Sequence, residues 1–255
     1  MIKEMIQRHL VCTYYVITLV LSFILLNFHF VFTTVGHYSV SFTQFAPGFA
    51  VLFIVVLLKD KVILHNINIG LRWQKGQVKG LFLSLFLPTI LIISSSFFLS
   101  ILNIPYVSWD GNVLFYVLNL AAILVGCGAE EIGWRGFLLP QLQKKYSPFI
   151  SSIVVGVLWG IWHLNLTGGI LGFILYTVTI IEMSILMTWV FNKTHGNLLI
   201  MILWHFMFNL ASHIFLWERF ITKLLLIESI VFGIVCVVVV ISRKKDFFYK
   251  EVIKA

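Results

Sequence analysis

Long uninterrupted runs of apolar residues restrict what this sequence can fold into. Eight runs of roughly 17–27 residues recur along the chain, and about 20 such residues are what an α-helix needs to cross a bilayer. Hydrophobic residues make up 60% of the 255 positions and charged residues only 11%, whereas about 25% of a soluble domain is charged. We therefore predict an all-α fold, a polytopic membrane helix bundle of about eight transmembrane helices.

The predicted spans form a single membrane domain that covers residues 1–255. They run over residues 10–32, 42–58, 80–102, 113–139, 148–166, 170–191, 198–217 and 224–241. A short uncharged turn is predicted at residues 33–39. No small-x-small cleavage site follows the first run, so we expect a retained first helix rather than a signal peptide.

The net charge of +8 resides in the short connections between spans. The connection 59–79 carries five basic residues against Asp60, and the tail 243–255 opens with Arg-Lys-Lys. With eight spans, these segments fall on one side together with the basic N-terminus, Lys144-Lys145 and Lys193. The connections on the other side carry Asp110 alone, or Glu218 balanced by Arg219 and Lys223. This bias predicts a multi-pass protein of the cell membrane with both termini and a basic tail in the cytoplasm. The positive net charge is thus explained by basic residues that orient the protein in the lipid bilayer, and no nucleic acid partner is expected.

One stretch inside the fourth span, residues 129–137 (AEEIGWRGF), is charged. Glu131 and Arg135 are four residues apart on one helical face, with the acid first, which predicts an ion pair. Glu130 points about 100° away and has no partner on its own helix. Ionisable groups inside a membrane usually mark a functional site, and an unpaired carboxylate there is suited to act as a general base.

Two other spans carry polar pairs at helical spacing. Trp159 and His163 lie on one face of the fifth span, and His205 and Asn209 lie on one face of the seventh. At a rise of about 1.5 Å per residue, these groups and Glu130 share a layer near mid-depth of a bilayer core of about 30 Å. A single membrane histidine is commonly a packing residue. The combination on three helices favours a common polar site.

Two further kinds of residue receive structural interpretations. Glu182 lies at similar depth in the sixth span. Three roles are open for it: a member of the site, a partner of Arg135 or of a histidine, or a protonated acid that faces other helices. We favour a structural role over membership of the site. The three cysteines lie in apolar runs with no metal-binding spacing, so we predict that they are buried small hydrophobic residues. These are Cys12, Cys127 and Cys236.

Taken in order, the three polar motifs resemble the CAAX-protease and bacteriocin-processing family, also called Abi proteins, which are intramembrane endopeptidases. The resemblance covers residues 113–212, which we expect to be the catalytic core. Trp159 stands where phenylalanine is more usual, and because both are apolar aromatic residues we expect little consequence. The matching motifs are Glu130-Glu131-x-x-x-Arg135, Trp159-x-x-x-His163 and His205-x-x-x-Asn209.

The resemblance implies hydrolysis of a peptide bond inside the membrane by an activated water molecule. By this resemblance Glu130 is the general base and His163 assists it. His205 and Asn209 donate hydrogen bonds to the oxyanion. Glu131 and Arg135 hold the base in place. Amide hydrolysis needs this set of groups, because a positioned base and donors aimed at the developing oxyanion both lower its barrier.

Metal dependence is left open by the residue types. Glu130, His163 and His205 would satisfy a zinc site with one open position. However, the sequence has no His-Glu-x-x-His motif, and Asn209 is a poor zinc ligand. The resembled family, first classed as metalloproteases, is now usually regarded as glutamic. We expect no cofactor and a glutamate-activated water, with zinc as the alternative.

The substrate implied by the resemblance is a membrane-associated or lipidated hydrophobic peptide, as in CAAX-protein, bacteriocin or pheromone processing. Two other functions fit a polar site in a helix bundle. A transporter would use the acids and histidines as an ion or proton relay, although no inverted repeat is visible. A non-catalytic scaffold or self-immunity protein would keep its phenotype without Glu130.

Overall fold

The computed structural model describes residues 2–27, 29–32, 38–103, 113–216 and 222–249. Among these residues, four helices are long and apolar enough to cross a membrane, and three shorter apolar helices accompany them. Large apolar side chains such as Phe82, Phe86, Phe97 and Ile234 are half or more exposed on the outside of the bundle. Exposure of so much apolar surface to water along whole helices is unfavourable, so this surface faces lipid and the chain is a membrane protein.

The predicted all-α helix bundle is confirmed. Its elements are α1 (Ile2–Arg8), α2 (Leu10–Leu25), strands β1 (His29–Phe32) and β2 (Tyr38–Ser41), a 3₁₀ turn (Phe42–Phe45), α3 (Ala46–Leu58), α4 (Lys61–Gly70), α5 (Val78–Ile101), α6 (Val113–Gly133), a π-helical segment (Trp134–Leu138), α7 (Leu139–Gln143), α8 (Pro148–His163), α9 (Gly169–Lys193), α10 (Leu198–Phe215), α11 (Thr222–Ser242) and α12 (Lys244–Phe248). Seven of the eight predicted spans correspond closely to these helices.

The predicted first span, residues 10–32, is wrong beyond Leu25. Helix α2 ends at Leu25, and β1 pairs antiparallel with β2. The apolar run continues through both elements, and its aromatic and β-branched residues suit a strand as well as a helix. Periodicity alone does not separate these states over four residues. Most of the predicted turn at 33–39, Asp110, Glu218 and the last six residues of the tail lie outside the described residues.

Side-chain caps explain where several helices begin. The carboxylate of Asp60 accepts hydrogen bonds from the backbone N–H groups of Val62 and Ile63 at the start of α4. Ser147 and Asn197 accept corresponding bonds at the starts of α8 and α10. Each cap satisfies a backbone donor that has no partner within its helix.

Helix α8 packs against α9 along a seam of small residues. A methyl group built on Gly156 would lie 2.6 Å from Cα of Ile181, and one on Gly160 would lie 3.0 Å from Cα of Thr177. Glycine is needed at these positions because it lets the two backbones approach closely. On its other side α8 contacts α2, where the indole of Trp162 donates to Ser22 at 2.7 Å. This seam fixes the helix that carries Trp159 and His163.

Helix α10 packs between α5 and α6, and α11 packs against α9 and α5. A polar network closes one end of this half of the bundle. The Gln77 amide donates to the carbonyl of Thr194 at 2.6 Å, and the Asn197 amide donates to Gln77 Oε1 at 2.7 Å. The network joins the basic connection before α5 to the turn between α9 and α10.

The tail helix α12 docks on the same end of the bundle. Asp246 accepts hydrogen bonds from Lys193 Nζ at 2.8 Å and from the Trp189 indole at 3.0 Å. The neighbouring Phe247 is fully buried and its ring contacts Phe149. The described part of the predicted basic tail is therefore a short helix anchored to α8 and α9.

Candidate active site

The acidic motif lies at the end of α6, where the helix passes into the π-helical segment. Glu131 and Arg135 are both fully buried, and Arg135 Nη1 donates to Glu131 Oε1 at 3.0 Å. The ion pair expected from the four-residue spacing is therefore present. The π-helical turn begins at Trp134 and contains Arg135. Such turns are rare and frequently occur at functional sites.

Helix α6 is held in place by close backbone contact with α3. A methyl group built on Gly48 would lie 2.9 Å from the carbonyl oxygen of Ala129, the residue before Glu130. One built on Gly133 would collide with Pro47 and with the hydroxyl of Tyr14. The two helices touch through glycine on both sides of Glu130. These contacts fix how α6 is shifted and rotated relative to α3, and therefore where Glu130 points.

The carboxylate of Glu130 is 4% exposed and has a partner on another helix. The indole nitrogen of Trp159 in α8 donates to Glu130 Oε2 at 2.9 Å. The sequence predicted that Glu130 has no partner on its own helix, which agrees with this arrangement. It did not predict the indole contact, because Trp159 was expected to be interchangeable with phenylalanine, which has no donor.

His163 lies at the last turn of α8, and its Nδ1 is 2.8 Å from the carbonyl oxygen of Trp159. A carbonyl only accepts hydrogen bonds, so Nδ1 carries the hydrogen, and in the neutral ring the lone pair is on Nε2. The ring also contacts the aromatic rings of Trp162 and Tyr176. His163 is therefore joined to Glu130 through Trp159.

His205 in α10 is 5% exposed and is bound to the other acid of the pair. Its Nδ1 lies 3.0 Å from Glu131 Oε1, the same oxygen that accepts from Arg135. The ring of His205 packs edge-on against Trp159, with ring centroids 5.2 Å apart. Glu131 thus lies between a guanidinium and an imidazole, and Trp159 touches both halves of the site.

Asn209 lies one turn after His205, and its amide donates to Cys127 Sγ at 3.4 Å. Cys127 also lies within interaction range of the His205 ring. It is buried, as predicted, but it is not just an apolar filler, since it contacts two motif residues. Its place three and four residues before the acid pair, on the same helix, was the available indication. Cys236 is buried as well, whereas Cys12 is exposed, contrary to the prediction.

Several buried polar atoms around the acid pair have no hydrogen-bond partner among the described residues. They are the Tyr14 hydroxyl, Glu131 Oε2, and Arg135 Nε and Nη2. Buried polar atoms of this kind are the usual ligands of ordered internal water. The acid pair is therefore surrounded by polar atoms with capacity for further hydrogen bonds.

The residues considered for zinc do not form a ligand set. Within the described ranges, no three His, Cys, Asp or Glu side chains are grouped so that they could hold a metal ion. Trp159 binds Oε2 of Glu130, and the Nδ1 atoms of His163 and His205 bind Trp159 and Glu131, so any metal ligation by these residues would use Oε1 and the two Nε2 atoms.

Glu182 lies on the side of α9 that faces α11, away from the acid pair. Its Oε1 would be 2.8 Å from a methyl group built on Gly233, and its Oε2 has no hydrogen-bond partner in the described part of the chain. This position supports the structural interpretation of Glu182. Sequence reasoning did not single out Glu228 of α11, which is also buried.

Comparison with known proteins confirms the resemblance drawn from the motifs. Residues 112–211 match the family model described as type II CAAX prenyl endopeptidase Rce1-like. A CAAX prenyl protease 2 of Methanococcus maripaludis is 28% identical over 187 residues, 65% of this chain and 66% of that protein.

Two staphylococcal relatives are named lysostaphin resistance protein A. The protein of Staphylococcus haemolyticus is 26% identical over 163 residues, 61% of this chain and 43% of that protein. The protein of Staphylococcus aureus is 26% identical over 161 residues, 61% of this chain and 37% of that protein. The chain thus spans just under two thirds of the archaeal relative and less than half of the staphylococcal ones.

Proposed function

We propose, from the Rce1-like pattern of residues 112–211, that this chain is an intramembrane glutamic endopeptidase. The observation that supports this most is the environment of Glu130. Its carboxylate is buried, is held by the Trp159 indole at 2.9 Å and lies beside a second acid that is already neutralised by Arg135. One carboxylate is therefore available for proton transfer while the other is committed to an ion pair.

In the proposed reaction Glu130 removes a proton from water, and the water oxygen attacks the carbonyl carbon of the scissile peptide bond. The carbonyl π electrons move to oxygen and form a tetrahedral oxyanion. When this intermediate collapses, the C–N bond breaks, and Glu130 returns its proton to the leaving amine. Because Oε2 accepts from Trp159, Oε1 is the atom that we assign to proton transfer. His163 assists by orienting the water.

The oxyanion is assigned to donors on α10. With Nδ1 of His205 bound to Glu131, the imidazolium form of the ring presents an Nε2–H on its opposite side, and the Asn209 amide lies one helical turn further. Removal of one such donor in soluble proteases costs about 3–4 kcal/mol of transition-state stabilisation. Glu131 and Arg135 hold His205 and the π-helical turn in position.

The substrate class that we propose is a membrane-embedded or lipidated hydrophobic peptide. A site buried among apolar helices is reached from the bilayer by substrates that are themselves apolar, and the archaeal relative is named a CAAX prenyl protease. We further propose that the chain is a multi-pass protein of the cell membrane with both termini cytoplasmic, because its basic connections fall on one side.

Paired glutamate variants test this function. Peptides released by cells that produce the wild-type protein are compared with those from cells producing Glu130→Gln, and Glu182→Gln serves as a control with the same chemical change elsewhere in the membrane. We expect Glu130→Gln to abolish one or more peptide products at equal protein abundance, while Glu182→Gln retains them. Unchanged peptides with Glu130→Gln would refute the protease function and favour a scaffold or immunity role.

Metal dependence is tested on the same products. A glutamate mechanism predicts that cleavage by purified protein persists after treatment with a metal chelator. Loss of cleavage that is restored by zinc, but not by magnesium, would instead support the metal alternative.

A further inference from the structure

Trp159 contacts four of the residues of the candidate active site. Its indole nitrogen donates to Glu130 at 2.9 Å, and its backbone carbonyl accepts from Nδ1 of His163 at 2.8 Å. Its ring lies 4.3 Å below the guanidinium carbon of Arg135 and 5.2 Å from the His205 ring. The side chain itself is fully buried.

We infer that Trp159 is a positioning residue for the general base, and that its indole N–H is the group that orients the carboxylate of Glu130. This inference rests on the proposed function. Trp159 does not react in this scheme and acts through Glu130, so it is distinct from the groups that contact the substrate. Phenylalanine, the more usual residue in the resembled pattern, is also aromatic but is smaller and has no N–H donor, so the indole donor is what this chain adds.

The hydrogen bond has a definite consequence for the carboxylate. An indole has one N–H and no acceptor, so it binds the ionised oxygen of a carboxylate and turns the group about its last bond. Oε2 is held towards α8, and Oε1 is directed to the remaining side. A donor to a charged acceptor is stronger than one to a neutral acceptor, and Trp159 therefore favours the ionised form that removes a proton from water.

The surroundings of Trp159 restrict the indole to this role. The Arg135 guanidinium lies over its ring face, where a cation is attracted by the π electrons. On its other side α8 is held close to α9 by the small-residue seam. Gly156, about one turn before Trp159, and Gly160, the residue after it, both belong to this seam. The indole therefore reaches Glu130 in one orientation that is fixed by packing.

The test compares Trp159→Phe with Trp204→Phe. Trp204 is a matched control, because it is also fully buried but its indole nitrogen has no hydrogen-bond partner in the described residues. Cleavage is measured on the peptide products that Glu130→Gln abolishes. A hydrogen bond to a charged group contributes about 1.5–3 kcal/mol, so we expect kcat to fall about 10- to 100-fold in Trp159→Phe with little change in KM.

The pH profile separates positioning from simple loss of packing. The acid limb of the Trp159→Phe profile should move to higher pH, because the carboxylate has lost a donor that favoured its ionised form. The other ionisable groups that face Glu130 are unchanged in both variants: Glu131 and Arg135 on its own helix, Tyr14 on α2 and His205 on α10. Trp204→Phe should leave the profile at its wild-type position.

The contact is also measured without activity. In protein labelled with ¹⁵N-tryptophan, the indole resonance that disappears in Trp159→Phe should move upfield in Glu130→Ala and stay in place in Glu182→Gln. An unmoved resonance in Glu130→Ala would overturn the inference even if no peptide product is found. Equal kcat and pH profiles for wild type and Trp159→Phe would also overturn it, whereas products retained by Glu130→Gln would refute the glutamate mechanism itself.

Discussion

Replacement of Arg135 by methionine should be among the most destabilising single changes in this bundle. Methionine is an unbranched apolar side chain of nearly the same length as arginine. Most of the packing volume is therefore kept while the charge is lost. Both Arg135 and Glu131 are fully buried, with Nη1 and Oε1 3.0 Å apart. Removing one member of a buried pair costs about 3–5 kcal/mol, because Glu131 would lose the guanidinium and keep only the His205 ring as a partner among the described residues.

The surface pair between Lys193 and Asp246 provides the comparison. Its N–O distance is 2.8 Å, shorter than that of the buried pair, but the Lys193 side chain is 52% exposed. Solvent screening limits exposed pairs to about 0–1 kcal/mol. If burial rather than distance decides the effect, Lys193→Met should therefore be several-fold less destabilising than Arg135→Met.

The free energy of unfolding is measured by titrating sodium dodecyl sulfate into the detergent-solubilised protein and following helix content. A double variant, Glu131→Gln with Arg135→Met, should recover much of the loss, because it removes both charges while the introduced glutamine still accepts a hydrogen bond from His205. Equal destabilisation by Arg135→Met and Lys193→Met would refute the reasoning, as would a double variant that is less stable than Arg135→Met alone.

Two other perturbations have defined outcomes. Gly156→Ala should lower the free energy of unfolding by about 1–3 kcal/mol, the usual cost of overpacking, because its new methyl group would meet the Ile181 backbone; Gly172→Ala, whose nearest contact would be 3.8 Å away, should have a much smaller effect in the same titration. Partial burial acts to raise the pKa of Asp246, but hydrogen bonds from Lys193 and Trp189 outweigh it, so this pKa lies below its usual value. The resulting stability is present above the unfolded pKa of about 3.9 and is lost as pH falls through the lower folded pKa. Asp246→Asn should therefore flatten the decrease in thermal unfolding midpoint between pH 5 and pH 2. An equally steep decrease in the variant would contradict this.

The parts of the fold that are encoded locally could be predicted from the sequence. Apolar runs gave the positions of most helices, because burial in lipid requires about the same length of apolar chain everywhere. The ion pair between Glu131 and Arg135 follows from spacing on a single helix. The caps at Asp60, Ser147 and Asn197 also involve only two or three neighbouring residues, although the helix that begins after Asp60 lies in a segment that was predicted only as a connection.

The parts that depend on which helices are neighbours could not be predicted. Trp159 reads as an apolar aromatic residue until α8 is placed beside α6, and only then does its N–H meet Glu130. Cys127 likewise reads as a small hydrophobic residue until α10 brings Asn209 against it. The end of α2 at Leu25 was missed for another reason, since the apolar character of the sequence does not change there.

The packing of α5 against α10 and α11 has a consequence for how the protein is made. Helix α5 leaves the ribosome long before its two partners, so its interacting face has no protein neighbour during most of synthesis. Stable association of helices inserted in a membrane follows their insertion, and here it must wait for residues beyond 198. A chain that stops after α9 should therefore insert its helices yet remain a target for quality-control proteolysis.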